Sequence, residues 1–148
     1  MLISSDSVNK LAGYIENRDE VFCSGLFLSA RWMVVSQLDH IGIQMIILPD
    51  RDSAEYCAAD LYNLIEGDCV FFLPDSGKRL EKSNYKASLS VQRTSAIGKI
   101  VNYLSYGPDL SNGKLIIVTY PSALEEGIPA PSSIKESLLK LNVGDEVS

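Results

Sequence analysis

Four short, uninterrupted apolar runs constrain this chain more than any other feature: Val21 to Cys23, Met45 to Leu48, Val70 to Leu73 and Leu115 to Val118. A strand with no polar alternation suits a position covered on both faces, which is the condition of strands in a parallel sheet. The stretches between the runs carry helical spacing instead. Ala30, Met33, Val34, Leu38 and Ile41 make one apolar stripe, Ala54, Cys57, Ala58, Leu61, Leu64 and Ile65 a second, and Ile97, Ile100, Val101 and Leu104 a third. Strand alternating with helix predicts a layered α/β architecture with crossovers of one hand. Ahead of the first run, Val8, Leu11, Ala12 and Ile15 predict a short amphipathic helix on the outside of the sheet.

Local punctuation agrees with these boundaries. Asp52 with Glu55 three residues later reads as a capping-box-like start to the second helix, and Gly67 fits its end. Gly107 and Pro108 stop the long third helix, and Ser111-Asn112-Gly113 is a turn into the last strand. Two prolines in "GIPAPSS", residues 127–133, then break regular structure. Ser133 and Glu136 form a capping box for a short helix through Leu141, and "NVGDEVS" reads as a turn into an unfinished strand.

At 148 residues and 46% hydrophobic content the chain is sized for one domain with its own core. A net charge of −6 argues against bulk electrostatic attraction to nucleic acid. No apolar run approaches the roughly 18 to 20 residues of a membrane span, and "MLISSDSVNK" has no basic-then-apolar leader pattern, so a cytoplasmic location is expected. The cysteines, Cys23, Cys57 and Cys69, share no metal-ligand spacing and read as small buried hydrophobes. The single histidine, His40, has no cluster around it, so no metal site and no cofactor are expected.

Apolar Val21 to Cys23, then Gly25, then an apolar-patterned helix have the order of a phosphate-binding loop. The GxxxxGK[ST] pattern falls on Gly25 to Trp32, and of its fixed positions only Gly25 fits. Ser29 precedes Ala30, which puts a methyl group where the backbone would approach a phosphate; Arg31 retains a positive charge; Trp32 replaces the magnesium-binding hydroxyl. Leu26, Phe27 and Leu28 fill what should be a small, polar loop. The degenerate positions Gly25, Ser29, Ala30, Arg31 and Trp32 therefore predict no useful nucleotide affinity, with an atypical anion or nucleotide pocket using Arg31 as the other reading.

The succession "GLFLSAR", "MIILPDRDSAEYCAADL", "VFFLPD", "LIIVTYPSALEE" and "LLKLNVGDEV" resembles, across residues 18–148, the N-terminal region of bacterial transcription-repair coupling factors (Mfd), whose front module is similar to the excision-repair protein UvrB. The order and spacing of these motifs, rather than any one of them, carry the resemblance. It implies a three-layer, parallel-sheet half-domain of the P-loop/RecA-like helicase type (UvrB domain 1a-like). On this reading residues 1–128 are the degenerate half-domain, incomplete without downstream segments. Residues 129–148 are the connection to, and start of, an inserted UvrA-binding-type domain. The missing second half should leave part of the sheet edge or face uncovered.

The same resemblance implies that the full-length protein recognises RNA polymerase stalled at DNA lesions, releases it using ATP and recruits excision repair through UvrA. The chain in hand would be a non-catalytic scaffold whose partners are the rest of the same polypeptide and, at full length, UvrA, RNA polymerase and DNA. UvrB threads DNA behind an aromatic-rich hairpin, whereas the equivalent stretch here, Asp75 to Ser90, has Tyr85 alone. Its Lys78, Arg79, Lys82 and Lys86 are candidates for weak phosphate contacts, but a solvated surface loop fits the acidic whole better. Asp50 and Asp75 each follow a strand in "LPD", and helix capping and turn formation explain both. Two other readings stay open: a divergent nucleotide-binding P-loop enzyme domain, and a regulatory α/β binding module unrelated to repair.

Overall fold

A computed structural model describes residues 5–17, 20–38, 42–66, 69–77, 84–106 and 114–128. In chain order the elements are α1 (Ser5–Glu16), α2 (Ala30–Ser36), β1 (Ile43–Ile47), α3 (Arg51–Leu64), β2 (Val70–Phe72), α4 (Asn84–Tyr106), β3 (Leu115–Thr119) and α5 (Pro121–Leu124). The strands form one three-stranded sheet, order β1-β3-β2, with both pairings parallel. The architecture is therefore α/β, as the alternation of apolar runs and helical stripes predicts.

Alternation along β3 organises the core. Ile116 and Val118 face a cluster built with Ala54, Cys57, Ala58 and Leu61 of α3 and Trp32 of α2. Leu115 and Ile117 face the other way, onto Ala96 and Ile97 of α4 with Phe71 and Leu73. Every residue of β3 is buried, which explains its unbroken apolar run. Each fully buried leucine or isoleucine contributes about 1.5–3 kcal/mol relative to exposure.

The stripe along α3 is correct at Ala54, Cys57, Ala58 and Leu61, and fails at Leu64, which is exposed. The long third helix runs to Tyr106, immediately ahead of Gly107 and Pro108; Ile97, Ile100 and Val101 pack inward as expected and Leu104 does not. In α1, Val8 is buried.

Four sequence expectations need correction. Residues 21–24 form no strand: Val21, Phe22 and Cys23 are exposed, so the first apolar run lies outside the sheet. Cys23 is accordingly a surface thiol, whereas Cys57 and Cys69 are buried. The α3 helix starts one turn-fraction earlier than the Asp52/Glu55 pair suggested, because Asp50 is the N-cap and accepts the Ser53 amide at 2.8 Å. Finally, α4 begins at Asn84, so the second half of the Asp75 to Ser90 stretch is helix rather than loop. Gly67, His40 and Ile41 lie outside the described residues, as do Lys78, Arg79 and Lys82; Lys86 falls within α4, with its side chain undescribed.

The described part of the sheet is covered unequally. Strand β1 lies in register with β3, Ile43 beside Leu115 and Met45 beside Ile117, so Ile43, Met45 and Ile47 point to the α4 side. There they are 56%, 53% and 54% exposed, respectively. Ile46, on the opposite side, packs into the α3 cluster. Among the described residues, the exposed apolar stretch of the sheet is the α4 side of the β1 edge.

Candidate functional site

In a parallel sheet, a ligand crevice opens at the carboxyl ends of neighbouring strands whose chains leave toward opposite faces. After β3 the chain enters α5, whose Ala123 joins the α3 cluster. After β2 it enters α4, on the other face. The crevice of this fold therefore lies between the ends of β2 and β3.

Side chains from three segments converge there and bond to one another. The Asp75 carboxylate accepts from the Tyr120 phenol at 3.0 Å and the Ser122 hydroxyl at 3.3 Å through Oδ2, and from the Gly77 amide at 2.8 Å through Oδ1. The Tyr120 oxygen in turn accepts the Asp75 amide at 3.0 Å. Glu126 receives the Ser76 amide at 3.1 and 3.0 Å through its two oxygens and the Ser76 hydroxyl at 3.0 Å. Arg93, buried on the sheet side of α4, donates to the carbonyls of Pro74 at 2.7 Å and Glu126 at 3.1 Å, with its Nε 3.4 Å from the Glu126 carboxylate. Thr119 donates to the Leu73 carbonyl at 3.0 Å, so the strand ends are tied as well.

This network closes the crevice with the chain's own groups. Burial is the main force pushing the Tyr120 phenol up to about 12, with bonding to the Asp75 carboxylate adding to it. A phenol held neutral in this way serves as a fixed donor between β2 and β3. Among the described residues no buried side-chain nitrogen or oxygen is left without a partner, and none of the described acids, cysteines or histidines form a group able to hold a metal ion. Asp50 caps α3 and Asp75 makes the turn at Gly77, the roles expected of both.

The degenerate loop lies elsewhere. Gly25 has φ 77°, a left-handed conformation that glycine adopts without strain, and Leu28 adopts φ 51°, which a leucine does at a cost. Ser29 is the N-cap of α2 but makes no capping bond; its hydroxyl donates to Asp60 Oδ2 at 2.7 Å, joining the loop to the C-terminal half of α3. Since α3 begins at the carboxyl end of β1 and runs back toward the start of β2, that contact puts the loop away from the strand ends where a phosphate loop would sit.

Trp32, expected only as a lost magnesium ligand, is a buried member of the α3-side core. The Arg31 guanidinium stacks over its ring at 4.5 Å. Thus Gly25, Ser29, Ala30, Arg31 and Trp32 form a loop-to-helix corner packed on α3, and no strand leads into it. An open groove lined by Tyr14, Glu20, Val21 and Phe22 shares no residue with this corner or with the crevice.

Sequence reasoning missed Arg93, Glu126 and Lys114. Arg93 gave a signal: it falls four residues after Leu89 and four before Ile97, on an otherwise apolar stripe, where an arginine needs buried acceptors. Lys114, also buried, donates to the Val35 and Ser36 carbonyls at 3.3 and 2.9 Å and so ties the end of α2 to the start of β3. No family model matches the chain, and neither a curated protein nor a solved structure matches it.

Proposed function

We propose that the chain is a non-catalytic scaffold half-domain of a transcription-repair coupling factor, of the P-loop/RecA-like type, although its Gly25 to Trp32 corner does not stand at the strand ends where a phosphate loop would. The observation that carries the scaffold reading is the self-bonded crevice: Asp75 with Tyr120 and Ser122, and Glu126 with Ser76 and Arg93, occupy the place where a parallel sheet ordinarily takes its ligand. The Gly25 to Trp32 corner adds to it, since its serine bonds to α3 and its arginine stacks on its tryptophan. The repair assignment rests on the ordered motifs from "GLFLSAR" to "LLKLNVGDEV".

In this role the chain positions the neighbouring UvrA-binding domain. The full-length protein acts on stalled RNA polymerase as an ATP-dependent DNA translocase. No helix among the described residues is long and apolar enough to cross a membrane. The test is the full-length gene product. It should contain an intact GxxxxGK[ST] motif several hundred residues downstream and should bind RNA polymerase and UvrA in pull-downs with purified components. A gene product without that motif, or one that binds neither protein, refutes the assignment.

A further inference from the structure

The apolar run Val21 to Cys23 has no place in the sheet, and its neighbours show what it forms instead. Together with Tyr14 of α1, the residues Glu20, Val21 and Phe22 line an open groove of about 440 Å³, within the size range of small-ligand sites. Phe22 is 92% exposed and Tyr14 is 53% exposed. Aromatic rings so placed gain from any partner that covers them.

The electrostatics of the groove select the sign of that partner. Glu20 is exposed and supplies a carboxylate. Tyr14 lies in the last turn of α1, which ends at Glu16 and carries no basic residue there, so nothing in that turn opposes the partial negative charge of the helix C-terminus. The faces of the two rings are negative as well, because the quadrupole of an aromatic ring places negative charge above and below its plane. Among the described residues, no lysine or arginine lines the groove. A net charge of −6 on the chain attracts cations at longer range.

Among cationic side chains, arginine fits this lining best. Its guanidinium is planar and weakly hydrated, so it stacks on an aromatic face while its edge forms two parallel hydrogen bonds with a carboxylate. An ammonium is compact and strongly hydrated, and gains less from such a surface. Val21 adds apolar surface for the methylene stem. The same pairing occurs within this chain, where the Arg31 guanidinium lies over the Trp32 ring at 4.5 Å.

We propose that the groove of Tyr14, Glu20 and Phe22 is a docking site for an arginine side chain of a partner protein, with the guanidinium on the two rings and its charge met by Glu20. The site is separate from the crevice and from the Gly25 corner. The inference does not need the repair role, so either can fail without the other.

An NMR titration of the full 148-residue chain tests it, with N-acetyl-arginine amide as the probe. Saturable shifts should appear at Tyr14 and at residues 20–22. The citrulline counterpart, which keeps the shape and lacks the charge, should bind at least about 5-fold more weakly, and the lysine counterpart should also bind more weakly. Tyr14→Leu with Phe22→Leu removes both ring contacts and should weaken binding about 5- to 30-fold. Glu20→Gln should weaken it about 2- to 5-fold and reduce its dependence on salt. Tyr56→Leu, at another exposed tyrosine, should leave binding unchanged. All four substituted side chains are exposed, so far-UV circular dichroism should show the fold retained. Absence of saturable shifts overturns the proposal. So does citrulline or lysine binding as tightly as arginine, or binding at full strength in the Tyr14→Leu/Phe22→Leu chain.

Discussion

The phenol of Tyr120 and the backbone and carboxylate of Asp75 hold each other in both directions: the oxygen accepts the Asp75 amide and donates to Asp75 Oδ2, each at 3.0 Å. The pair joins the residues that follow β2 to those that follow β3, and it is the centre of the closed crevice. Tyr120 is also stacked on Phe72, with ring centroids 6.2 Å apart, so its ring is fixed independently of its hydroxyl.

Tyr120→Phe keeps the ring and removes both bonds. The Asp75 amide and carboxylate each lose a partner in a partly buried setting, which costs about 1–3 kcal/mol. Urea denaturation should show the midpoint falling with little change in slope.

Alkaline stability follows from two buried acids. Burial holds the Cys57 thiol up to about 12 against an ordinary 9.0, and the Tyr120 phenol up to about 12 against 10.0. The unfolded chain ionises first and gains by doing so, so these groups' contribution is complete below pH 9.0 and is lost as pH rises toward about 12. Stability measured against pH should decline over that window, and Tyr120→Phe should remove the portion that begins near 10.0. On the acid side, hydrogen bonds from Ser53 hold the Asp50 carboxyl below its ordinary 3.8. Its contribution is therefore present above 3.8 and lost below it, a loss that Asp50→Asn should diminish.

Arg93 is expected to be a stability residue. Removing it by Arg93→Met leaves the Glu126 carboxylate short of its cation and the Pro74 carbonyl without this donor. Breaking a buried pair from one side costs about 3–5 kcal/mol, and the paired substitution Arg93→Met with Glu126→Gln should cost less than the two single changes added together. A double-mutant cycle by chemical denaturation measures the difference.

Trp32 is the only tryptophan in the chain and is buried against α3. Its fluorescence should be blue-shifted in the native state and move red on unfolding. Trp32→Ala should cost about 3–5 kcal/mol, the range for removing a large aromatic from a core.

Much of this fold was legible in the sequence because burial on two faces leaves a plain mark. The run Leu115 to Val118 could belong only to a covered strand, and Ala54, Cys57, Ala58 and Leu61 could face only inward. The same rule misled at β1, where Met45 and Ile47 are as apolar as core residues although their side of the sheet is open among the described residues. It also misled at Val21 to Cys23, since three apolar residues are too few to separate a strand from an exposed segment. Two acidic residues within three positions competed to cap α3, and the pattern at Asp52 and Glu55 pointed to the wrong one. The crevice was legible only in part. Asp75 could be seen as a turn residue, but its partners arrive from Tyr120 and Ser122, some 45 and 47 positions away in the chain, and no local pattern encodes such a contact.

Calorimetric titration of the chain with ATP and magnesium tests the central claim, that the crevice and the Gly25 corner serve structure rather than nucleotide chemistry. No binding heat and no change in thermal stability are expected at saturating ATP. Micromolar binding that is lost on Arg31→Ala would contradict it and would favour a divergent nucleotide-binding enzyme.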